Sequence, residues 1–521
     1  MKVQAESVKP QARGVLIFGL VVQPRHLPLW FLVLALPALP FIRESYPVFW
    51  SSQSIRPLMA FTALIFISLS ILWSWRNKVI YASPLIIGLL GMFLGINALS
   101  TALSAIPWQG SAHLMEMLLY ASMGLLLYHQ LQTAPEFRAL FSISLMLMLS
   151  LMVLRLLYGW ISVYDPVNHP WSSQIAFAEN IRHIGYLAAM LLPVGYSFLV
   201  FKTPKDTSYW LTFVYLTLAW GLVFWMGGRA TFLALVSATV IFFIFHPRTL
   251  PTVLTAAVSG LLLSQLFTVT DSSLNLFRLF DLGDGQKNLN QLSSHRLTIY
   301  HQALTLWWEQ SFLIGLGSDI FRYLRPSILG DYFAQPHSFI IQALLSSGLI
   351  GGLALLALLI ILGSNWIQNR GSNWPGFIIA GMAATATGLI DGVFYHSLSF
   401  FTISIVLALS LSPAKKIIPT IPLLSGAMMV TTSGVVFFSV LSWQIVLSLG
   451  PIPSDKQLEW VNRYPLYLNA HHWISQANEK QAHRLLQIAV RHSDTPCSYR
   501  GFLTEAQENS LAWCIDKTTE K

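Results

Sequence analysis

Long apolar runs separated by short polar segments fill most of the chain. Runs of roughly 17–25 residues recur from near residue 27 to near residue 449, and a helix needs this length to cross a bilayer core about 30 Å thick. We find no succession of short alternating strands of the kind that builds membrane barrels, so we interpret the runs as helices. The pattern predicts an all-α, polytopic membrane protein with about 12–13 transmembrane helices.

The polar segments divide the chain into four predicted parts. These are an N-terminal transmembrane bundle (1–269), a large loop (270–336), a C-terminal transmembrane bundle (337–450) and a tail (451–521). The tail alternates charged residues with Leu, Ile, Val and Trp at helical spacing, so we expect a small helical unit there. The apolar segment 14–23 is too short to cross a bilayer alone, and we expect an interfacial helix or an extension of the first span.

Composition supports a membrane protein rather than a soluble one. Hydrophobic residues make up 54% of the chain and charged residues only 10%, whereas a soluble domain carries about a quarter charged residues. The excess of 31 Lys+Arg over 22 Asp+Glu would suggest a nucleic-acid partner in a soluble protein. Here the basic residues flank the apolar runs, so we predict contact with membrane lipids and no nucleic-acid partner.

The basic residues also orient the predicted spans. If the N-terminus is cytoplasmic, Lys and Arg recur in alternate loops, which fits the positive-inside rule with an odd number of spans. The loop 270–336 and the tail then lie on the outer side, which is the periplasm of a Gram-negative host. The tail holds both cysteines, Cys497 and Cys514, and an oxidising compartment favours a disulfide between them, with two unpaired thiols as the alternative.

Cationic and titratable side chains concentrate on this outer side. Burying several cations beside a membrane is costly without anionic partners, the planar fork of Arg suits phosphate oxygens, and a neutral His can accept a proton near pH 7. The pattern therefore predicts binding of an anionic lipid head group and cleavage of a sugar–phosphate bond. The residues concerned are Arg182, His183, Arg229, Arg278, His295, Arg296, His301, Arg322, Arg325 and His337.

Each of these residues also has a purely structural interpretation. An Arg at the end of a span often extends to lipid head groups, a His at a helix start is often an interfacial residue or a cap, and paired glycines often serve helix packing. The outer carboxylates Asp165, Glu179, Asp331 and Asp391 look scattered. HExxH, DxD, CxxC and glycine-rich nucleotide motifs are absent, which disfavours a metal-dependent enzyme using a nucleotide sugar.

The order of the motifs resembles the bacterial O-antigen ligase superfamily, which includes O-antigen ligases, O-antigen polymerases and protein O-oligosaccharyltransferases. Ser338 stands where the family usually has Asn, and Ser346-Ser347 where an acidic residue is common. The segments that carry the resemblance are Asn180-Ile181-Arg182, Gly228-Arg229-Ala230-Thr231-Phe232-Leu233, Arg296 with Gly315-Leu316-Gly317, Pro336-His337-Ser338, and Gly348-Leu349-Ile350-Gly351.

The resemblance implies a glycosyltransferase-C-like fold. It also implies an enzyme whose donor is a glycan on undecaprenyl diphosphate and which needs neither a metal nor a cofactor. It implies diphosphate binding by Arg182, Arg229 and Arg296, with Arg229 also catalytic, and a role for His337 as the base that acts on an acceptor hydroxyl. Direct displacement would invert the anomeric centre. Second-rank candidates for glycan or phosphate contact are Arg322, Arg325 and His301.

Three acceptors and one different class of protein stay open. Lipid A–core as acceptor, which we favour, would make the protein an O-antigen ligase. A periplasmic protein such as a pilin would make it an oligosaccharyltransferase, and a second lipid-linked repeat unit would make it a polymerase. A flippase or transporter for lipid-linked glycans is disfavoured because internal repeats are not apparent and few ionisable residues, such as Arg155 and Glu116, lie within the spans. The expected location is the bacterial inner membrane, with the site facing the periplasm.

Overall fold

The structure is a computed structural model, and the part of the chain it describes is almost entirely helical. The described residues are 15–17, 20–22, 26–39, 55–74, 83–104, 107–162, 181–266, 295–319, 321, 335–369 and 374–411. The predicted tail 451–521, the apolar run 418–449 and most of the loop 270–336 lie outside these residues.

Helices in the first predicted bundle follow the apolar runs closely. Short 3-10 turns at Leu192–Gly195 and Pro247–Thr249 each join two of these helices. The bounds are α1 (Leu27–Ala38), α2 (Ile55–Ser74), α3 (Pro84–Leu103), α4 (Pro107–Thr133), α5 (Phe137–Ser162), α6 (Ile181–Leu191), α7 (Tyr196–Phe201), α8 (Thr207–Met226), α9 (Arg229–Phe245) and α10 (Leu250–Leu266).

The second half of the described chain contains one loop helix and three helices of the C-terminal bundle. These are α11 (Arg296–Gln310), α12 (Phe339–Gln368), α13 (Pro375–Ile390) and α14 (Ser397–Ser410). Helix α13 packs against α9, α6 and α14, and α14 packs against α4. The connection between α13 and α14, which begins at Asp391, therefore lies between the two predicted bundles.

A short β-ribbon near the N-terminus is the exception to the all-α prediction. Val15–Ile17 (β1) and Leu20–Val22 (β2) pair antiparallel, with Val15 opposite Val22. The expectation of an interfacial helix over 14–23 is therefore wrong. The segment is rich in the β-branched residues Val and Ile, which favour strands over helices.

Five helical segments among the described residues are long and apolar enough to cross a membrane. The α9–α10 pair, which bends by 119° at its break, is a sixth if its two helices count as one span. Helices α1, α13 and α14 are apolar but shorter. The protein is thus a multi-pass membrane protein, while the prediction of about thirteen spans also counts segments outside the described residues. The five segments are Leu85–Leu103, Phe137–Tyr158, Arg182–Phe201, Thr207–Met226 and Phe339–Gln368.

Helix α12 is broken at Gly348, and a loop after α11 fills the break. Gly348 has φ 63° and ψ −165°, far from helical values. The backbone N–H of Leu316 donates to the carbonyl of Leu345 at 2.6 Å, and the N–H of Leu349 donates to the carbonyl of Phe312 at 2.9 Å. Backbone groups freed by the break are therefore satisfied by the loop, as they must be at a membrane helix.

Glycine is required on both sides of this contact. Gly315 and Gly317 have φ values of 88° and 105°, a left-handed region that favours glycine. A Cβ atom on Gly348 would lie close to the Leu313 carbonyl, and one on Gly315 would lie 2.5 Å from the Gly348 nitrogen. The Gly-Leu-Gly motif and the glycine in α12 thus form one interlocking joint.

We expect Gly348→Ala to destabilise the protein by at least about 1–3 kcal/mol, the cost of the unfavourable backbone conformation alone. Gly363→Ala, farther along α12, is the matched control because a Cβ there meets open space and Ala favours a helix. Melting temperatures in detergent measure both effects. Equal melting temperatures for the two variants would contradict the interlocking joint.

Candidate functional site

A single buried carboxylate, Asp391, organises the candidate site. Its Oδ2 accepts a hydrogen bond from Arg296 Nη2 at 2.9 Å, and its Oδ1 lies 3.2 Å from His337 Nδ1. Oδ1 also accepts hydrogen bonds from the Tyr186 hydroxyl at 2.6 Å and from the Gly392 N–H at 2.9 Å. Helices α6, α11, α12 and α13 thereby converge on one side chain.

Electrostatics keep Asp391 ionised. Burial acts to raise the pKa of this carboxyl, but the hydrogen bond from His337 and the positive charge of Arg296 oppose that effect. The Tyr186 hydroxyl adds a further hydrogen bond, and the net result is a pKa below the usual range. A charged Asp391 can therefore hold Arg296 and His337 in fixed orientations near neutral pH.

The backbone at His337 is held in an uncommon conformation. His337 has φ 54°, a left-handed value that is uncommon for residues other than Gly, although His adopts it more often than most. The Tyr300 hydroxyl donates a hydrogen bond to the His337 carbonyl at 3.1 Å, and the His337 side chain is 14% exposed. Such conformations persist where surrounding contacts enforce them, and they cluster at functional sites.

Arg296 opens α11, and packing fixes this helix on α12. Ile299 and Ala303 of α11 form a small buried cluster with Phe321 and Leu345. The Arg296 side chain is 20% exposed, and a guanidinium carries five N–H donors. Only its Nη2 is used by Asp391, so the guanidinium retains donors for a further anionic group.

A second cluster of aromatic and histidine side chains adjoins Asp391. The rings of His183 and His396 lie 3.5 Å apart between centroids, and Tyr186 lies beside both. Gln335 Nε2 is 3.2 Å from His396 Nε2. Within the described ranges, no group of three or more His, Cys, Asp and Glu residues is arranged to hold a metal ion.

The structure places the predicted site residues at several positions around this centre. Arg296 and His337 meet at Asp391. Arg182, an exposed residue, lies at the start of α6, and Arg229 is the first residue of α9. These two helix starts are neighbours, because a Cβ on Gly185 would lie 3.0 Å from Thr231 Oγ1.

The remaining predicted residues fall elsewhere. His301 is exposed on α11, away from the buried centre. Arg322, Arg325, Cys497 and Cys514 lie outside the described residues, so their predicted roles stay predictions.

Sequence reasoning missed Asp391, Tyr186 and His396 as a connected group. Asp391 looked like one of several scattered carboxylates. A usable signal was nonetheless present, because Asp391 is a lone acidic residue between two apolar helices, and an ionisable residue within membrane segments is by default a functional candidate. The residues that it binds are 54 and 95 positions away in the chain, which no local pattern reveals.

Comparison with known families gives one match. Residues 212–356 match the family model described as O-antigen ligase. The match begins in α8, ends in α12 and includes Arg229, Arg296, His337 and the interlocking glycines, which confirms the resemblance to the O-antigen ligase superfamily. Comparison with curated proteins finds no match.

Replacing Asp391 by Asn should destabilise the protein. The change removes the negative charge between Arg296 and His337 and leaves the guanidinium without its buried partner, at a cost of about 2–3 kcal/mol. Asp206→Asn is the control, because this exposed carboxylate accepts its hydrogen bonds from Thr203, three residues away, and an Asn side chain accepts the same bonds. Melting curves in detergent measure the stability of both variants, and equal melting points would contradict the role of Asp391.

Acidification should remove the contribution of Asp391 to stability. Its pKa is below about 3.9, the unfolded value, so the folded state binds fewer protons and gains stability as pH rises through this range. The contribution is fully present above about pH 5 and is lost as pH falls below about 4. The difference in melting temperature between wild type and Asp391→Asn should therefore shrink from pH 7 to pH 3. A difference that is constant with pH would show that Asp391 is not held ionised.

Proposed function

We propose that this chain, with its O-antigen ligase domain, transfers a glycan from undecaprenyl diphosphate to an acceptor hydroxyl on the periplasmic face of the bacterial inner membrane. The observation that carries the proposal is the convergence of Arg296 and His337 on Asp391. This convergence supports a site in which a cation for a diphosphate and a base for a hydroxyl share one carboxylate.

The contact between His337 and Asp391 supports His337 as the base. With Nδ1 carrying its proton toward Asp391, 3.2 Å away, the other ring nitrogen, Nε2, holds the lone pair. An orienting carboxylate of this kind fixes the imidazole tautomer and stabilises the imidazolium that forms on proton transfer. His337 is also partly exposed, so an acceptor hydroxyl can reach it.

The proposed reaction is a single displacement. The acceptor oxygen bonds to the anomeric carbon, the bond from that carbon to the diphosphate oxygen breaks, and the hydroxyl proton passes to His337 Nε2. Undecaprenyl diphosphate leaves with the electron pair, and the anomeric configuration inverts. No metal ion or cofactor is needed if cationic side chains stabilise the developing negative charge.

We assign the charge stabilisation to Arg296, Arg229 and Arg182. Arg296 retains N–H donors beyond the one that it gives to Asp391. Arg229 stands at the N-terminus of α9, where the helix dipole adds partial positive charge. Arg182 lies at the neighbouring start of α6 and interacts electrostatically with His183 and Tyr186, which border Asp391.

Lipid A–core is the acceptor that we favour, and a pilin-type protein or a second lipid-linked repeat unit are the alternatives. Transport of the lipid-linked glycan is the competing class of function. A flippase that is not coupled to proton movement needs no base, and the Asp391–His337 contact therefore supports transfer over such a flippase. Formation of a glycosylated product by the purified protein would exclude transport alone.

His337→Ala should reduce glycan transfer by roughly 10²–10⁴-fold, the usual contribution of a general base, while the protein still inserts and folds. His301→Ala should retain most activity, because His301 is exposed on α11. Transfer from a polyprenyl-diphosphate donor by purified protein measures both. The reverse pattern would assign the base to His301 instead.

Arg229→Ala and Arg296→Ala should each reduce transfer by roughly 10²–10³-fold if they stabilise the leaving group. Arg→Lys at either position should recover little activity, because Lys cannot present the planar fork that binds two phosphate oxygens. Wild-type rates in the Lys variants would contradict bidentate binding.

The lipopolysaccharide banding pattern of a deletion strain identifies the acceptor. Loss of the O-antigen ladder with intact core, restored by wild type and not by His337→Ala, identifies lipid A–core. An unchanged ladder would exclude the ligase assignment and direct the search to periplasmic glycoproteins.

A further inference from the structure

A cavity of about 280 Å³ opens beside the candidate site, between α3, α4, α12, α13 and α14. Phe339 and Phe394 line one end of it. Phe339 follows His337 by two residues, and Phe394 follows Asp391 by three. Two lining residues of the cavity therefore lie within three residues of side chains that we assign to the transfer reaction.

The body of the cavity is apolar and follows the helices inward. Along α4 its lining runs from His113 to Tyr128, which corresponds to about 22 Å at the rise of an α-helix. This exceeds the roughly 15 Å that one leaflet contributes to a bilayer core of about 30 Å. The cavity thus has the length and lining that suit an extended lipid chain.

The end near the site carries polar groups that lack partners. His113, Gln342 and Thr385 line the cavity from three different helices. The atoms His113 Nδ1, Gln342 Oε1 and Thr385 Oγ1 are buried, and no described residue forms a hydrogen bond with them. The His113 residue is only 4% exposed. Buried polar atoms without partners are rare and costly in native proteins, which indicates that a ligand supplies hydrogen bonds there.

The charge at this end excludes an anion as that ligand. Among the described residues, those that line the cavity include neither Lys nor Arg. Next to it lies the buried carboxylate of Glu116, which accepts a hydrogen bond from Ser397 and has His113 Nδ1 at 3.7 Å. His113, Gln342 and Thr385 can form hydrogen bonds with a neutral hydroxyl or amide. The neighbouring carboxylate of Glu116 would repel a diphosphate.

We propose that this cavity binds the acyl chain of an acceptor lipid that carries hydroxyl or amide groups close to its head. The inference rests on the proposed function, and it names the acceptor as an acyl lipid rather than a protein. A polyisoprenoid chain has no hydrogen-bonding groups to satisfy His113, Gln342 and Thr385, so the donor's chain lies elsewhere.

The test compares two photoreactive ligands on the full-length protein in phosphatidylcholine nanodiscs, without any donor. One is an N-(3-hydroxytetradecanoyl)glucosamine with a diazirine in the chain, and the other lacks only the 3-hydroxyl. We expect both to label α3, α4, α12, α13 or α14, and the hydroxylated ligand to label with an affinity roughly 2- to 10-fold higher, as one net hydrogen bond provides.

Two variants and one control sharpen the result. Thr385→Val and Gln342→Leu should each reduce the preference for the hydroxylated ligand. Thr387→Val should retain it, because Thr387 lies on the same helix, bonds to the Ala383 carbonyl and does not line the cavity. The wild-type comparison of the two ligands is decisive even if a variant fails to fold.

Equal affinity for the two ligands, or labelling outside these helices, would overturn the proposal. Displacement of the probe by undecaprenyl phosphate would overturn it also, because the cavity would then belong to the donor. Since no transfer is measured, any of these results leaves the proposed glycan transfer to be judged by its own assays.

Discussion

The site depends on the compensation of one buried negative charge. Asp391 is placed by α13 in an interior where an isolated carboxylate would be strongly disfavoured. Four hydrogen bonds and the Arg296 cation offset this cost, and they come from Tyr186, Arg296, His337 and the Gly392 backbone. Segments far apart in sequence are thereby fixed to one point, which is the preorganisation that electrostatic catalysis requires.

The interlocking glycines give this arrangement its rigidity. The loop after α11 enters the break in α12 and exchanges backbone hydrogen bonds with residues 345–350. Because Arg296 begins α11 and His337 immediately precedes α12, the joint fixes the two side chains relative to each other. Ser318, next to Gly317, bonds to Asn97 at 2.5 Å and ties the same loop to α3, which forms a wall of the apolar cavity. Site and cavity thus share one scaffold.

Local pattern predicted the helices and the two residues that meet at the centre. Apolar runs predicted α1 to α10 and α12 to α14, because a membrane helix must be apolar along most of its length. Arg296 and His337 were found because each stands beside a recognisable motif. Asp391 was not connected to them, because its contacts depend on how α6, α11 and α13 pack. The ribbon at 15–22 was missed because a short apolar segment fits a helix or a strand equally well.

The most direct test of this account is a double-mutant cycle for glycan transfer with His337→Ala, Asp391→Ala and the combined variant. If Asp391 acts by orienting His337, the two losses should be less than multiplicative, because removing Asp391 after His337 is already lost costs only what Asp391 contributes through Arg296. Losses that multiply would show that the two residues act independently, and they would contradict a site built around Asp391.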